Sequence, residues 1–533
     1  MQQLENYFNN HPQRIFFLVL LLAFPAFFTN LGLLPLFADE PTRANVALEM
    51  ILSGNFSVPT IGGEYYYNKP PLYNWMLAGL YSLTGSSSEF VTRLPAVIPM
   101  FLYAITIYYA ADYFLKDKRI AALSGLAFII NSRMLLYDSM LGHIDIFYSL
   151  LTFSSFMLIF YFYQQQKWFL LFFVSYLITA ITFLSKGLPS IAFQGFTLIA
   201  LLSYTGNFKK FFSWQHILSG FFCLAIIGAY FYNYHQYNPN LETYFSTIWD
   251  QSSRRTANAE LTIWKRITYL LFFPFEHLIH IFPVSLLALF ALHKGFVQDI
   301  KQNPFLKFIT IIFLANIWIY CLSPLTRPRY LLMLYPLVFI VSSYAYYTYR
   351  DQFPRLNKIV NFSILILAML ITLAVPVALL AGIDDFVERV PIKVVVLFTL
   401  CLSATLIIWR SKTQKFLAFA GLLIFLRLGF SWFIIPHRLH LGENKYYREI
   451  AIEMGNISKG MPFYFYQFHP PVLAIPFHDR LIFYIQSTRM QGVKFVENVT
   501  KPGYYFTFDR NINMPGVELV KEYKGNLKLY EVK

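Results

Sequence analysis

Apolar residues along this chain gather into thirteen runs of about 18–24 residues, separated by short polar breaks. A helix rising 1.5 Å per residue needs roughly 20 such residues to cross the hydrocarbon of a bilayer, so each run predicts a membrane span. The limits fall near 15–36, 93–115, 119–137, 145–163, 168–185, 187–205, 213–232, 274–293, 305–323, 329–349, 358–381, 391–409 and 414–435. Two longer polar stretches, 37–92 and 233–273, interrupt the series. From about His437 the chain becomes more charged and shows short strand-like runs, Pro462–Tyr466, Tyr504–Thr507, Gly516–Val520 and Leu527–Val532, while Tyr446–Met454 reads as a helix. Lys524-Gly525-Asn526 between the last two runs reads as a hairpin turn. The expected architecture is an all-α polytopic membrane protein of about thirteen transmembrane helices, residues 1–436, followed by a small α/β domain outside the membrane, residues 437–533.

Composition agrees with this pattern. Hydrophobic residues make up 57% and charged residues 13%, about half the charge of an ordinary soluble domain. Many of the 38 tyrosines stand near run ends, where an amphipathic ring favours the membrane interface. Cys223, Cys321 and Cys401 each lie inside an apolar run, so buried thiols and no disulfide are expected. The first run is long enough to remain as a span, and no cleavable leader is expected.

The net charge of +15 acts chiefly as an orientation signal, because cytoplasmic loops collect Lys and Arg. With the N-terminus inside, Lys116, Lys118 and Arg119, Lys167, Lys209 and Lys210, Lys294, Lys301 and Lys307, Arg350, Arg355 and Lys358, and Arg410, Lys412 and Lys415 all fall in inner loops. Thirteen spans then put the C-terminal domain outside. No basic face on a soluble domain marks a nucleic-acid partner.

The outer face then collects an unusual polar set. Asp39-Glu40-Pro41-Thr42-Arg43 follows the first span, and Tyr65-Tyr66-Tyr67-Asn68-Lys69-Pro70-Pro71-Leu72 comes later in the same loop. Asp138, His143 and Asp145 lie between spans three and four, and Lys186-Gly187 between spans five and six. Arg254 and Arg255 sit in the long loop after span seven, and Thr326-Arg327-Pro328-Arg329-Tyr330 before span ten. Charges at a membrane boundary are costly unless paired or hydrated, so their clustering on one side points to a site. Lys and Arg suit a lipid-linked phosphate, and Asp suits an acceptor that must lose a proton. Each residue also has a structural reading: Asp138 and Asp145 as helix N-terminal anions, Lys69 and Lys186 as interfacial anchors, Glu40 as a partner for Arg43.

These motifs, in this order over roughly residues 30–340, resemble the aminoarabinose-transferase and protein O-mannosyltransferase group of GT-C membrane glycosyltransferases. The most specific element is Lys69-Pro70-Pro71-Leu72 in its place after Asp39-Glu40. The resemblance implies an inverting transferase that takes a sugar from a polyprenyl-phosphate donor on the outer face of a bacterial inner membrane. The acceptor it implies is a lipid such as lipid A, a glycan or a protein.

Carried over by position, Asp39 resembles the acceptor-activating carboxylate, with Glu40 beside it. Asp145 resembles a second acid, for which Asp138 competes. Lys69 resembles the lysine on the lipid phosphate, supported by Lys186 and Arg327, with Arg329, Arg254 and Arg255 as further cations. Arg43, Tyr67, Asn68 and Tyr330 are candidate acceptor or donor contacts. Some relatives carry a metal-binding acid before the loop lysine, where this chain has Asn68, and His277 and His280 fall in or near span eight. No metal or other cofactor is therefore expected to be required, a divalent ion being the alternative. The rival function is a secondary transporter, which would show an internal repeat and ionisable residues deep in its spans. Neither is evident in the sequence.

Overall fold

The computed structural model describes residues 7, 10–253, 262–323, 326–411, 414–467 and 478–533. Every one of the thirteen apolar runs carries a helix, but not every helix has the length of a span. Among the described residues, eight are long and apolar enough to cross a membrane: Glu89–Leu115, Ile144–Gln164, Trp168–Lys186, Trp214–Tyr237, Pro304–Cys321, Pro354–Leu380, Val390–Arg410 and Lys415–Leu441. Two further runs are bent pairs, Lys118–Ile130 with Ser132–Met140 at 41° and Ile263–His280 with Ser285–Leu292 at 120°, which raises the number to ten at most.

The remaining three runs carry shorter helices, Pro12–Phe28, Pro189–Tyr204 and Tyr335–Tyr349. Proline in the first turn sets the start of each, since it has no N–H to donate and its φ suits that position. The run at 274–293 departs most from expectation. Its first helix begins at Ile263, inside the stretch read as a loop, and the chain then folds back on itself.

The chain divides into two compact units, each built from three separated stretches. The first comprises Met1–Leu31, Pro95–Gly228 and Ile248–His437. It is helical, with one extensive apolar core, and large apolar side chains such as Phe221, Leu271 and Val395 stand exposed on its outside, as a lipid-facing surface requires. Close approach inside it relies on small residues: a Cβ at Gly125 would stand 2.7 Å from the Ala104 carbonyl oxygen. Arg427 is fully buried on one of its spans, donating to the carbonyls of Leu135 at 2.6 Å and Ala26 at 3.4 Å. Its guanidinium also faces the rings of Phe27 and Phe430, so this intramembrane cation is a structural group.

The second unit comprises Gly32–Leu94, Ala229–Thr247 and Arg438–Lys533. It holds a hairpin of β1 (Thr60–Ile61) and β2 (Glu64–Tyr65), and a five-stranded sheet of β3 (Phe463–Tyr466), β4 (Lys494–Val496), β5 (Gly503–Phe508), β6 (Val517–Tyr523) and β7 (Leu527–Val532). The sheet order is β4-β3-β5-β7-β6, with β3 parallel to β4 and β5 and the remaining pairs antiparallel. Four of these strands lie on the strand-like runs read from sequence, and the β6–β7 turn uses positive φ at Gly525 and Asn526. Strand β4 and the helix His478–Arg489 are additions.

The first outer loop is also more ordered than its polarity suggested. It forms the helices Glu40–Ser53 and Leu72–Thr84. Ala44 and Leu48 of that loop, with Leu36 just before it, share one core with Ile450, Met454, Phe465, Leu481 and Phe506.

Candidate functional site

In the helical unit, the helices Ile144–Gln164 and Trp168–Lys186 form an antiparallel hairpin closed by three residues. The start of one therefore lies beside the end of the other. Asp145 occupies the first turn of the first helix and Lys186 the last turn of the second, where the helix dipoles favour an anion and a cation respectively. Lys186 Nζ lies 2.6 Å from Asp145 Oδ1, and Arg329 Nε lies 3.3 Å from Asp145 Oδ2. Arg329 Nη1 is 3.0 Å from both ring nitrogens of His143, the residue capping the same helix. The rings of Tyr148 and Tyr330 stand 4.6 and 4.7 Å from Lys186 Nζ. Asp145, His143, Lys186 and Arg329 are all buried. The triad of two cations and one carboxylate keeps one net positive charge.

Lys186 is followed by Gly187 at φ +85°, ψ −143°, a backbone region closed to side-chain-bearing residues. Gly187→Ala should therefore cost about 1–3 kcal/mol. A lowered unfolding midpoint for that variant, beside an unchanged or raised one for the mid-helix Gly195→Ala, where a Cβ meets nothing within 4 Å, is the expected result.

Asp138 belongs to a different pair. Arg133 Nε and Nη2 reach its two oxygens at 2.7 and 2.6 Å, and both partners are largely buried. Arg327 is exposed and adopts the extended conformation that precedes proline, immediately before the 3₁₀ turn Pro328–Leu331. Arg254 and Arg255 lie outside the described residues. His277 bonds to the Tyr335 hydroxyl at 2.7 Å.

In the second unit, Asp39 is exposed at the N-cap of Glu40–Ser53 and makes no side-chain cap bond to that helix. Glu40, its neighbour, is fully buried. Glu40 takes 2.8 and 3.0 Å hydrogen bonds from Arg93 and another of 2.8 Å from the Phe37 amide, so its charge serves the fold. Arg43 is buried with its guanidinium 5.4 Å from the Tyr66 ring centroid. Its Nη1 has no hydrogen-bond partner among the described residues.

Burial pushes the Tyr66 hydroxyl above its ordinary pKa; Arg43 opposes this, and the carboxylates of Asp479 and Asp39 reinforce it. Asp39, Arg43, Tyr66 and Asp479 thus form one electrostatic neighbourhood. Burial works against ionisation of Asp479, but hydrogen bonds from His478 and Thr42 and the charge of Arg43 hold its carboxyl below the ordinary value.

Lys69 is half-buried, and its carbonyl accepts from the buried Tyr244 hydroxyl at 3.2 Å. Two prolines follow, and the helix Leu72–Thr84 starts directly after them. Proline restricts the residue before it and offers no N–H that the new helix must satisfy, so the lysine is held on a stiff entry turn. Lys69 and Arg327 share this device, each being followed by proline. Tyr67 accepts from Asn238 at 3.2 Å and Asn68 is exposed. Among the described residues, no three His, Cys, Asp or Glu side chains converge as metal ligands.

Sequence reasoning missed Arg93, Arg133, Glu49 and Asp479. Arg93 and Arg133 each lie within an apolar run, itself a warning that a buried partner exists. Asp479 had no signal in the sequence, because its partners in the first outer loop, Thr42 and Asn45, are more than 400 residues away.

Over 96% of this chain and 97% of the other, the structure superposes on ArnT from Cupriavidus metallidurans bound to undecaprenyl phosphate, with a TM-score of 0.67 at 17% identity. The chain has the fold of ArnT. The apo state of the same enzyme gives 0.65 at 16% identity. This is the GT-C-like architecture that the motif order implied. The family model described as dolichyl-phosphate-mannose-protein mannosyltransferase matches residues 68–231. The undecaprenyl phosphate-alpha-4-amino-4-deoxy-L-arabinose arabinosyl transferase of Enterobacter sp. (strain 638) is 34% identical over 118 residues, which are 21% of this chain and 20% of that protein. The second such transferase of Proteus mirabilis (strain HI4320) is 29% identical over 91 residues, 17% of this chain and 16% of that one. The matched stretches thus span a fifth or less of those relatives' own lengths.

Proposed function

We propose that this protein is an inverting membrane glycosyltransferase that moves a sugar from a polyprenyl-phosphate donor to a lipid, glycan or protein acceptor on the outer face of a bacterial inner membrane. The observation that carries the reading is the ArnT fold bearing the Asp39-Glu40 and Lys69-Pro70-Pro71-Leu72 motifs on one unit. The aminoarabinosyl transferase relatives point to undecaprenyl phosphate as the carrier and to 4-amino-4-deoxy-L-arabinose as the first sugar to test. In this reading all thirteen helical runs cross the bilayer, the three shorter ones included, which places the N-terminus in the cytoplasm and residues 437–533 in the periplasm.

Asp39, exposed beside the Tyr66–Arg43 pair, takes the proton of the acceptor as its oxygen bonds to the anomeric carbon. The bond from that carbon to the phosphate oxygen breaks on the opposite face, and the polyprenyl phosphate leaves with the electron pair. Lys69, on its proline-stiffened turn, meets the developing charge on the phosphate. In the helical unit, Arg327 and the net-positive triad of Lys186, Asp145 and Arg329 supply positive potential suited to an anionic headgroup. Within that triad Asp145 anchors two cations, a different task from accepting an acceptor's proton. No step is routed through a metal.

The test is reconstitution of the full chain in vesicles with undecaprenyl phosphate-linked 4-amino-4-deoxy-L-arabinose and lipid A, read by mass spectrometry of the product. Mass spectrometry of envelope glycolipids and glycoproteins, with and without the protein, finds the acceptor if lipid A is not modified. Lys69→Ala should raise the KM for donor and lower kcat, for a combined loss of roughly 10²–10³-fold in kcat/KM. Movement of the intact donor across the vesicle, with no covalent product, would establish the transporter reading instead.

A further inference from the structure

A buried polar seam in the second unit connects the helix bearing Asp39 to the C-terminal sheet domain. On Glu40–Ser53, residues Thr42, Asn45 and Glu49 are spaced three and four apart and so share one face. On His478–Arg489, Asp479 and Gln486 are two turns apart on the facing surface. The Thr42 hydroxyl donates to Asp479 Oδ2. Asn45 Nδ2 donates to the Asp479 carbonyl at 2.6 Å, and Gln486 Nε2 reaches Asn45 Oδ1 at 3.4 Å and Glu49 Oε1 at 2.9 Å.

Glu49 extends the seam to the loop. Its carboxylate also accepts from Thr60 Oγ1 at 2.7 Å and from the amides of Gly62 at 2.5 Å and Gly63 at 3.3 Å. Four donors converging on one buried carboxylate fit its ionised form, although burial pushes its pKa up. The hairpin it grips runs directly into Tyr66 and Lys69. Asn45 and Gln486 are fully buried, so apolar packing alone would have been the simpler way to join these helices. A hydrogen-bonded seam fixes rotation and register as well as contact.

We infer that the C-terminal domain positions the acid end of the proposed transfer site, with Asp479 and Gln486 as the positioning residues. Asp479 grips the first turn of the helix that Asp39 caps and stands in the same charged neighbourhood as Arg43 and Tyr66. Gln486 sets the rotation of that helix through Asn45 and Glu49. The kinetic part of this inference rests on the glycosyltransferase reading; the mechanical part does not.

The experiment uses the full chain carrying Asp479→Asn, Asp479→Glu or Gln486→Leu, with two readouts. One is transfer from undecaprenyl phosphate-linked 4-amino-4-deoxy-L-arabinose to lipid A. The other is hydrogen exchange over residues 40–53, with residues 415–441 as the internal reference. Asp479→Asn and Gln486→Leu should lower kcat by about 10–10²-fold with the donor KM within about twofold, since displacing reacting groups by an ångström has that scale of effect. Asp479→Glu should recover part of the rate, and exchange over 40–53 should quicken in step with the rate loss.

Unchanged exchange in both disruptive variants would overturn the inference. So would quickened exchange with full kcat, which would make the seam structural only. If the unsubstituted chain transfers nothing, the glycosyltransferase reading fails, and exchange alone still decides whether the seam holds the helix.

Discussion

Asp39→Asn should lower transfer by about 10²–10⁴-fold while leaving the unfolding midpoint and membrane insertion unchanged, and Glu40→Gln should do nearly the reverse. Two adjacent carboxylates differ this much because of where the helix starts. Asp39 is exposed at the N-cap and gives the helix no side-chain bond. Removing its charge takes away the proposed proton acceptor while the backbone bonds of the helix stay in place. Glu40, one residue on, is fully buried and neutralises Arg93, which is 2% exposed. An uncharged amide there leaves a buried guanidinium without its counter-charge. Kinetics on purified, inserted protein and thermal unfolding of the same samples separate the two effects. Full activity in Asp39→Asn would remove the acceptor-activating assignment.

Asp145→Ala should be among the most damaging substitutions for the fold, at about 3–5 kcal/mol, because it leaves two buried cations without their shared anion. Lys186 is 7% exposed and Arg329 is 5% exposed, so water cannot replace the lost carboxylate. Lys186→Met should be milder. Asp145 would keep Arg329 at 3.3 Å, and the apolar chain would lie against the rings of Tyr148 and Tyr330 that now face the ammonium. Unfolding midpoints in detergent, with the yield of inserted protein, rank the two. An Asp145→Ala midpoint within about 1 °C of the unsubstituted chain would show that the triad is hydrated and not a buried network.

The same contrast explains what could be read in advance. The helical runs were legible because bilayer hydrocarbon demands a long, continuously apolar segment of any helix that crosses it. Four strands of the sheet were legible because short runs rich in Tyr, Phe, Val and Leu mark strands. Less legible were the helices Glu40–Ser53, Leu72–Thr84 and Leu241–Ser253 in the polar stretches. Glu40–Ser53 is buried on nearly every side, and with Glu40, Arg43, Asn45 and Glu49 hidden among Ala44, Val46, Leu48 and Met50 it carries little hydrophobic period. Hydropathy likewise placed the eighth run eleven residues late, since the helix from Ile263 opens with Lys265 and Arg266 before its apolar stretch.

For the candidate site, sequence order alone brought Asp39, Lys69, Asp145, Lys186 and Arg327 into view. Residue type and position relative to a span end are local properties, and each motif keeps them. The partners of these residues were decided only by tertiary structure. The antiparallel hairpin closes Asp145 on Lys186, Arg93 claims Glu40, Arg133 claims Asp138, and Asp479 reaches Thr42 across 437 positions. A charge in sequence is only a demand for a counter-charge or for water. Which neighbour meets that demand depends on where the chain returns.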